Sequence, residues 1–178
     1  MTSSAALDIW DAIAREAARE SSLWGDALRA DVEREPVFSP LGAERFALGL
    51  ETIYEGYLVH YGRPRLFAPA DADAALLLGD YLYAHGLVRI AEVGDVDAVA
   101  DLSELISLCA QLRAEEAPGD GPLWAASAAY LGTAALDDAR AALRLRGNDD
   151  ELRALAVAAA GEERLRAALA RHRLRFDP

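Results

Sequence analysis

Residues 71–93 read DADAALLLGDYLYAHGLVRIAEV, and this stretch decides the fold class. Its apolar side chains fall around the whole circumference of a helix instead of along one stripe, which is typical of a helix surrounded by others. We therefore expect a helix over Asp71–Val93 that lies at the centre of a helical bundle. Gly94 and Asp95 end this helix and cap the next one, which is expected over Val96–Glu116.

The helical period continues on both sides of this stretch, without strand alternation. Upstream, we expect a first helix from Ser3 or Ser4 to just before Pro36, because the residue ahead of a proline avoids the helical region. A second helix is expected over Pro40–His60. Four more helices are expected downstream, over Leu123–Leu136, Asp137–Arg146, Asp149–Ala160 and Glu162–Arg173. The sequence thus predicts an all-α fold, an antiparallel bundle of about 6–8 helices that forms a single domain over residues 1–178.

The net charge of the 178-residue chain is −12, and all of its basic charge is arginine. Such an acidic chain repels phosphate backbones, so we expect no nucleic-acid partner. The longest charge-free stretch, Gly121–Leu136, is shorter than the roughly 20 residues of a membrane span, and the N-terminus lacks the features of a signal peptide. We therefore expect a cytoplasmic protein without a membrane span. The lone Cys109 lies in an apolar helical context, which predicts a buried, unreactive thiol.

Arginine is concentrated near the C-terminus, where residues 162–178 carry five arginines against three acidic residues. One interpretation is a solvated helix end, because cations are favoured near a helix C-terminus. The other interpretation is a docking site for an acidic partner or a diphosphate.

Two motifs lie in the middle of the chain. The segment Leu76–Ala84, with the sequence LLLGDYLYA, is one of them, and it resembles the "LAGD(F/Y)LLA" helix of trans-prenyl diphosphate synthases. Gly62-Arg63-Pro64 lies seventeen residues before Gly79, at the spacing of the family's "RRGxP" loop. The resemblance covers about residues 40–135 and implies part of the isoprenoid synthase fold. The positions to which it assigns structural roles are Gly62, Pro64, Gly79 and Asp80. Because Asp80 belongs to the most apolar helix, we expect its carboxylate to be buried and hydrogen-bonded.

The chemistry of that family depends on magnesium held by two aspartate-rich helical motifs. Counting back from Gly62, the resemblance places the first motif on Glu51–Glu55, where the outer acids are glutamates and Thr52 replaces an aspartate. Glu51 and Glu55 share a helix face, so weak magnesium binding is one interpretation, and a pair of exposed helix carboxylates is the other. The second motif is missing, and we assign no catalytic residue.

The resemblance also implies a diphosphate site, and here the chain departs from the family. His60 and Tyr61 replace the two arginines that precede the family's glycine, and Asp120 replaces its clamp lysine. Arg63 and Arg65 lie close enough in sequence to substitute in part as diphosphate ligands.

These residues leave four hypotheses for the function. The first is a pseudoenzyme, an accessory or regulatory subunit of a partner synthase in isoprenoid biosynthesis, within a homo- or hetero-oligomer joined through an exposed apolar face. The second is a stand-alone binder of a prenyl or lipid-like ligand. Its pocket would be lined by Tyr54, Tyr57, Tyr81 and Tyr83. The third is a prenyltransferase that uses Glu51, Glu55 and magnesium, the one cofactor that the sequence suggests. The fourth is that the resemblance is convergent helical patterning.

Overall fold

The computed structural model of the protein describes residues 4–176, and within them the fold is all-α, as predicted. These residues form nine α-helices and two short 3₁₀ turns, and their one isolated β-bridge pairs Leu28 with Phe67. The helices are α1 (Ser4–Glu20), α2 (Ser22–Asp26), α3 (Ala47–Tyr61), α4 (Ala72–Glu92), α5 (Val96–Ala114), α6 (Asp120–Ala129), α7 (Asp137–Arg146), α8 (Asp150–Ala160) and α9 (Glu162–Arg173). The 3₁₀ turns are Ser39–Leu41 and Glu44–Phe46. The predicted cap at Ser3 lies outside the described residues.

The predicted first helix is in fact two helices, and the expectation that it continues to Pro36 is wrong. Ser21 is extended, and its hydroxyl accepts the Leu23 N–H at 3.2 Å, which separates α1 from α2 and caps α2. Residues 27–33 then form backbone hydrogen bonds with residues 65–68, over N···O distances of 2.7–3.3 Å. The apolar stripe of the sequence does not reveal this partner, because the two segments are more than thirty residues apart.

The other helix boundaries follow local signals, with two exceptions. Asp71 caps α4 through its carboxylate, as a helix over residues 71–93 requires. The second helix begins well after Pro40, because the two 3₁₀ turns come first. The helix expected over Leu123–Leu136 begins earlier, at Asp120, and ends at Ala129. It cannot continue to Leu136, since Gly132 and Ala134 have positive φ angles of 80° and 51° that an α-helix cannot contain.

The helix at the centre of the fold is α3, so the expectation that α4 occupies this position is wrong. All residues of α3 from Gly49 to Val59 are buried. In contrast, α4 packs one side against α3 and leaves Leu76, Leu77 and Val88 more than half exposed, at 55, 57 and 53%. When a helix is apolar on all sides, its sequence does not show which side the neighbouring helices cover.

Paired glycines bring α3 and α4 into close antiparallel contact. Gly49 on α3 lies against Gly86 on α4. Gly56, seven residues after Gly49, lies against Gly79, seven residues before Gly86. A Cβ added at Gly86 would lie 2.4 Å from Ile53 Cγ1 and 3.0 Å from the Gly49 carbonyl oxygen. Because glycine has no side chain, the two helix backbones can approach each other this closely.

The apolar core consists of two clusters, and α3 contributes to both. The larger cluster joins α3 to helices α5–α9 and contains Cys109. This cysteine is buried, as predicted, and burial raises the pKa of its thiol well above the usual value. The smaller cluster joins α1, α2 and α4 to the loop that follows α3. The burial of α3 therefore couples the N-terminal helices to the rest of the chain.

The close approach of α3 and α4 generates a first prediction, for the variant Gly86→Ala. We expect it to lower the free energy of unfolding by about 1–3 kcal/mol, because the added methyl group meets the side chain and backbone of α3. The matched control is Gly25→Ala, whose Cβ would meet Ala18 Cβ at an ordinary 3.5 Å. This control is expected to be neutral or to gain up to about 1 kcal/mol from helix propensity. Urea denaturation measures both, and equal stabilities would contradict the role assigned to Gly86.

Candidate functional site

Glu51 and Glu55, the predicted magnesium ligands, lie one turn apart on α3 and hold the guanidinium group of Arg65 between them. Arg65 Nη1 donates to Glu51 Oε2 at 2.6 Å, and Arg65 Nε donates to Glu55 Oε2 at 2.9 Å. All three side chains are buried, so the interpretation of Glu51 and Glu55 as an exposed pair is wrong. We call these three residues the buried triad.

Backbone N–H groups satisfy the other two carboxylate oxygens of the buried triad. Glu55 Oε1 accepts the N–H groups of Arg65 at 2.8 Å and Leu66 at 2.7 Å, and Glu51 Oε1 accepts that of Ser39 at 3.2 Å. Magnesium prefers about six oxygen ligands, whereas each carboxylate oxygen here already accepts an N–H group. Within residues 4–176, no three histidine, cysteine or acidic side chains come together as potential metal ligands. A guanidinium group thus stands where the sequence suggested a magnesium ion.

Two aromatic rings complete the surroundings of Arg65. Its guanidinium carbon lies 4.5 Å from the centre of the Trp10 ring and 4.9 Å from that of Tyr54. Burial alone would lower the pKa of Arg65, but the charges of Glu51 and Glu55 raise it above its usual value. Of the two predicted diphosphate ligands, Arg65 is therefore enclosed, and a ligand would have to displace both glutamates to reach it.

The loop Gly62-Arg63-Pro64 contacts residues 174–176, which follow α9. We call this loop the C-terminal seat. The Arg63 N–H donates to the Arg175 carbonyl at 2.9 Å, and the Arg63 guanidinium donates to the Leu174 carbonyl. A Cβ added at Gly62 would lie 2.8 Å from the Phe176 ring, so glycine permits this contact. Arg63, the other predicted diphosphate ligand, also lines a surface pocket together with Pro64.

The expectation of a buried carboxylate at Asp80 is wrong, because its side chain is 66% exposed on the outward side of α4. Asp80 Oδ1 lies 3.3 Å from His60 Nε2. Burial lowers the pKa of His60, and the neighbouring Asp80 offsets this in part. A Cβ added at Gly79 would lie 2.4 Å from His60 Nε2, so the imidazole ring packs directly over the helix backbone. The predicted site residues thus fall in four separate places: Glu51, Glu55 and Arg65 in the core, Gly62, Arg63 and Pro64 at the C-terminal seat, Gly79 at the contact with α3, and Asp80 on the outward side of α4.

A polar network that sequence reasoning missed joins α3, α5, α6 and α9. The Tyr54 hydroxyl lies 2.8 Å from His172 Nδ1, and His172 Nε2 lies 3.1 Å from Asp120 Oδ2. The same Asp120 oxygen accepts the Tyr57 hydroxyl at 2.6 Å, and that hydroxyl accepts Arg113 Nε–H at 2.7 Å. Asp120 had been singled out only as the replacement of a lysine. No local signal could have paired it with His172, 52 residues away.

The network is enclosed by aromatic rings and holds Asp120 ionised. Tyr54 and Tyr57 are fully buried and pack against the Trp124 ring, with ring centres 5.0 and 5.5 Å away, rather than lining open space. Burial would raise the pKa of Asp120, but the hydrogen bonds from His172 and Tyr57 and the charge of Arg113 hold it well below its usual value. This arrangement is a satisfied structural network with a buried carboxylate.

The outward side of α4 carries a row of exposed apolar residues. Leu77, Ala84, Val88 and Ala91 are all exposed and are seven, four and three residues apart, which places them on one side of the helix. The exposed Asp80 lies among them, between Leu77 and Ala84. Leu76 adds a second exposed leucine beside Leu77. We call these five apolar residues the α4 face.

No protein-family sequence profile matches the chain, and neither a curated protein nor a solved structure is significantly similar to it. The resemblance to trans-prenyl diphosphate synthases therefore rests on the residues quoted above and stays a prediction. None of the helices within residues 4–176 is both long and apolar enough to cross a membrane.

The buried triad predicts a large effect for Arg65→Met. Removal of the guanidinium leaves two buried carboxylates without a counter-charge, so we expect a loss of about 3–5 kcal/mol in the free energy of unfolding. The control is Arg144→Met, which removes an arginine whose ion pair with Glu104 is 38% exposed on both sides. Its expected cost is under about 1 kcal/mol.

Urea denaturation compares the two variants. Adding Glu51→Gln and Glu55→Gln to Arg65→Met removes the unpaired charges and is expected to recover part of the loss. If Arg65→Met unfolds no more easily than Arg144→Met, Arg65 does not neutralise buried carboxylates.

The low pKa of Asp120 predicts a pH-dependent stability. Its ionised form stabilises the fold fully above the pKa of the unfolded side chain, near 3.9, and this contribution is lost as the pH falls further. The stability advantage of the native chain over Asp120→Asn should therefore shrink by about 1 kcal/mol between about pH 6 and about pH 3. Urea denaturation at both pH values measures it, with Glu151→Gln as the control for one lost charge. A constant advantage would show that Asp120 is not held in its ionised form.

Proposed function

We propose that the chain is a non-catalytic accessory protein that docks to a protein partner through the α4 face. The observation that carries this proposal is the one-sided covering of α4. The helix is apolar around its circumference, yet α3 covers one side and Leu76, Leu77 and Val88 stay more than half exposed. Exposed apolar residues gathered on one side of a helix mark sites of helix–helix docking, and here they surround one exposed carboxylate, that of Asp80.

The resemblance to trans-prenyl diphosphate synthases suggests the class of partner. We take this partner to be a full-length, catalytically active synthase, in which the docked chain adds a helix face and changes the length of the product. The partner would then supply the aspartate-rich motifs that this chain lacks. The proposal thus includes an isoprenoid pathway and a hetero-oligomer.

Of the other three hypotheses, the binder and the transferase have less support in the contacts of the core, and the fourth, convergent helical patterning, stays open. A magnesium-dependent transferase would need free oxygens on Glu51 and Glu55, but these oxygens accept N–H groups from Arg65 and the backbone. A prenyl binder would need open space beside Tyr54 and Tyr57, but these rings pack against Trp124. Both observations favour a protein that acts through its surface.

The α4 face predicts that Leu77→Glu and Val88→Glu weaken the complex with the partner synthase. Each replaces an apolar contact worth about 1.5–3 kcal/mol with a charge, so the dissociation constant should rise at least about tenfold. The matched control is Leu145→Glu on α7, where the leucine is 75% exposed and far from α4 in sequence. It should leave the affinity unchanged.

The measurement is sedimentation velocity of the purified chain, alone and mixed with each full-length trans-prenyl diphosphate synthase of the source organism. The product chain length is assayed with and without the chain. A chain that stays monomeric, binds no synthase and leaves the product unchanged would contradict the proposal. A chain that associates only with itself, and loses this association in Leu77→Glu, would show that the α4 face is an interface. It would also show that a synthase is not its partner.

A further inference from the structure

A pocket of about 340 Å³ opens on the surface where the segment after α2 meets the C-terminus. The charged residues that line it are Arg29, Arg63, Arg171, Arg175, Glu33 and Glu35. Four arginines against two glutamates give a formal charge of +2, within a chain whose net charge is −12. We call this the arginine pocket. Its lining residues belong to elements other than α4, so it is separate from the proposed docking face.

Two of the arginines are held by glutamates that remain open to solvent. Arg171 Nε donates to Glu35 Oε1 at 2.6 Å, and Arg175 donates to Glu33. The glutamate side chains are 54 and 57% exposed. The Arg171–Glu35 pair is exposed on both sides, at 41 and 54%. Exposed ion pairs contribute little to stability, so Arg171 can exchange its glutamate for another anion at small cost. Arg175 is itself buried, so its pair with Glu33 is held more firmly.

Neither of the other two arginines has a close carboxylate partner in the pocket. Arg29 lies 3.6 Å from Asp31, whose side chain is 89% exposed, and the Arg63 guanidinium donates to the Leu174 carbonyl. The Nε atoms of Arg29 and Arg175 are buried and have no hydrogen-bond acceptor among the described residues. Each of these two side chains therefore has one buried N–H group that no described residue accepts.

The electrostatic effect of these arginines converges on one group, Glu33. The hydrogen bond from Arg175 and the charges of Arg175, Arg29 and Arg63 lower the pKa of Glu33, against the opposing effect of burial. Three arginines from three separate segments thus act on the same point of the pocket. An anion that took the place of the Glu33 carboxylate would experience the same attraction.

We propose that the arginine pocket binds the phosphate group of a small organic phosphate. Planar guanidinium groups present paired donors to phosphate oxygens, and the formal charge of +2 matches a phosphate monoester, which carries about −1.5 to −2 at neutral pH. The pocket is larger than a phosphate group, so it has room for an organic body against Pro64 and Leu174, which also line it.

Two observations concern the origin of the pocket and the kind of phosphate that it binds. Of the four arginines only Arg63 belongs to the stretch that resembles the synthases, and Arg29, Arg171 and Arg175 lie outside residues 40–135. The net charge of −12 repels an anionic membrane surface, which favours a free solute over a lipid headgroup.

Isothermal titration calorimetry at constant ionic strength tests the proposal with inorganic phosphate and glucose 6-phosphate as probes and glucose as the neutral control. We expect saturable binding of at least one phosphate probe and none of glucose. Arg29→Gln and Arg171→Gln should each weaken binding about tenfold, the effect of one charge-assisted hydrogen bond. The matched control Arg173→Gln removes an exposed arginine of α9 that does not line the pocket, and should change the affinity less than twofold.

The variant Glu35→Gln is expected to strengthen phosphate binding, whereas the arginine variants weaken it. A folding defect could not produce such a gain in affinity. Glu35→Gln releases Arg171 and raises the charge of the pocket by one, so phosphate should bind about threefold more tightly. Absence of saturable binding of either probe, or equal losses in Arg171→Gln and Arg173→Gln, would overturn the proposal. Co-sedimentation with phosphatidic acid vesicles without binding of either soluble probe would likewise overturn a free organic phosphate as the ligand.

Discussion

The burial of Arg65 between Glu51 and Glu55 is the constraint on which the rest of the structure depends. A charged group in an apolar core is tolerated only when every polar atom finds a partner. The partners of this triad come from separate parts of the chain: α3 supplies both carboxylates, Ser39 supplies an N–H, and the Glu35 carbonyl accepts Arg65 Nη1–H at 3.1 Å. The chain must therefore bring residues 35–39 and the loop after α3 to the same side of α3. We infer that the triad specifies the path of the chain more than it adds stability.

Both the C-terminal seat and the polar network depend on this path. The triad fixes the loop after α3, and Arg63 in that loop binds the backbone of the last turn through the Arg175 carbonyl. That contact positions α9, whose His172 reaches Tyr54 and Asp120 in the core. The same contact brings Arg171 and Arg175 to Glu35 and Glu33, so the arginine pocket is assembled from segments far apart in sequence.

The sequence was sufficient for most features with a local signal, although the local cap at Ser21 that ends α1 was not recognised, and it was insufficient wherever a feature depended on a distant partner. The all-α class and the boundaries of α4 follow from periodicity and from the cap at Asp71. The resemblance points to Glu51, Glu55 and Arg65, but as ligands of magnesium and diphosphate. The sequence does not show that they contact one another, because that contact requires the loop to fold back on α3. For the same reason α4 was placed at the centre and Asp80 in the interior. Periodicity reports how much of a helix is apolar, and only tertiary packing decides which side is covered.

The burial of the acidic partner separates structural arginines from those that can bind a ligand. Arg65 and Arg140 are buried with carboxylates that are themselves buried, since Arg140 bonds to Asp101 at 2.8 Å. If a ligand removed either arginine, a buried carboxylate would lose its counter-charge at a cost of several kcal/mol. Arg171 pairs instead with Glu35, whose carboxylate is open to water and loses little when its partner leaves. The planar guanidinium stays protonated in both settings. The arginines of this lysine-free chain therefore fulfil two roles, and solvent access to the carboxylate decides which role each one takes.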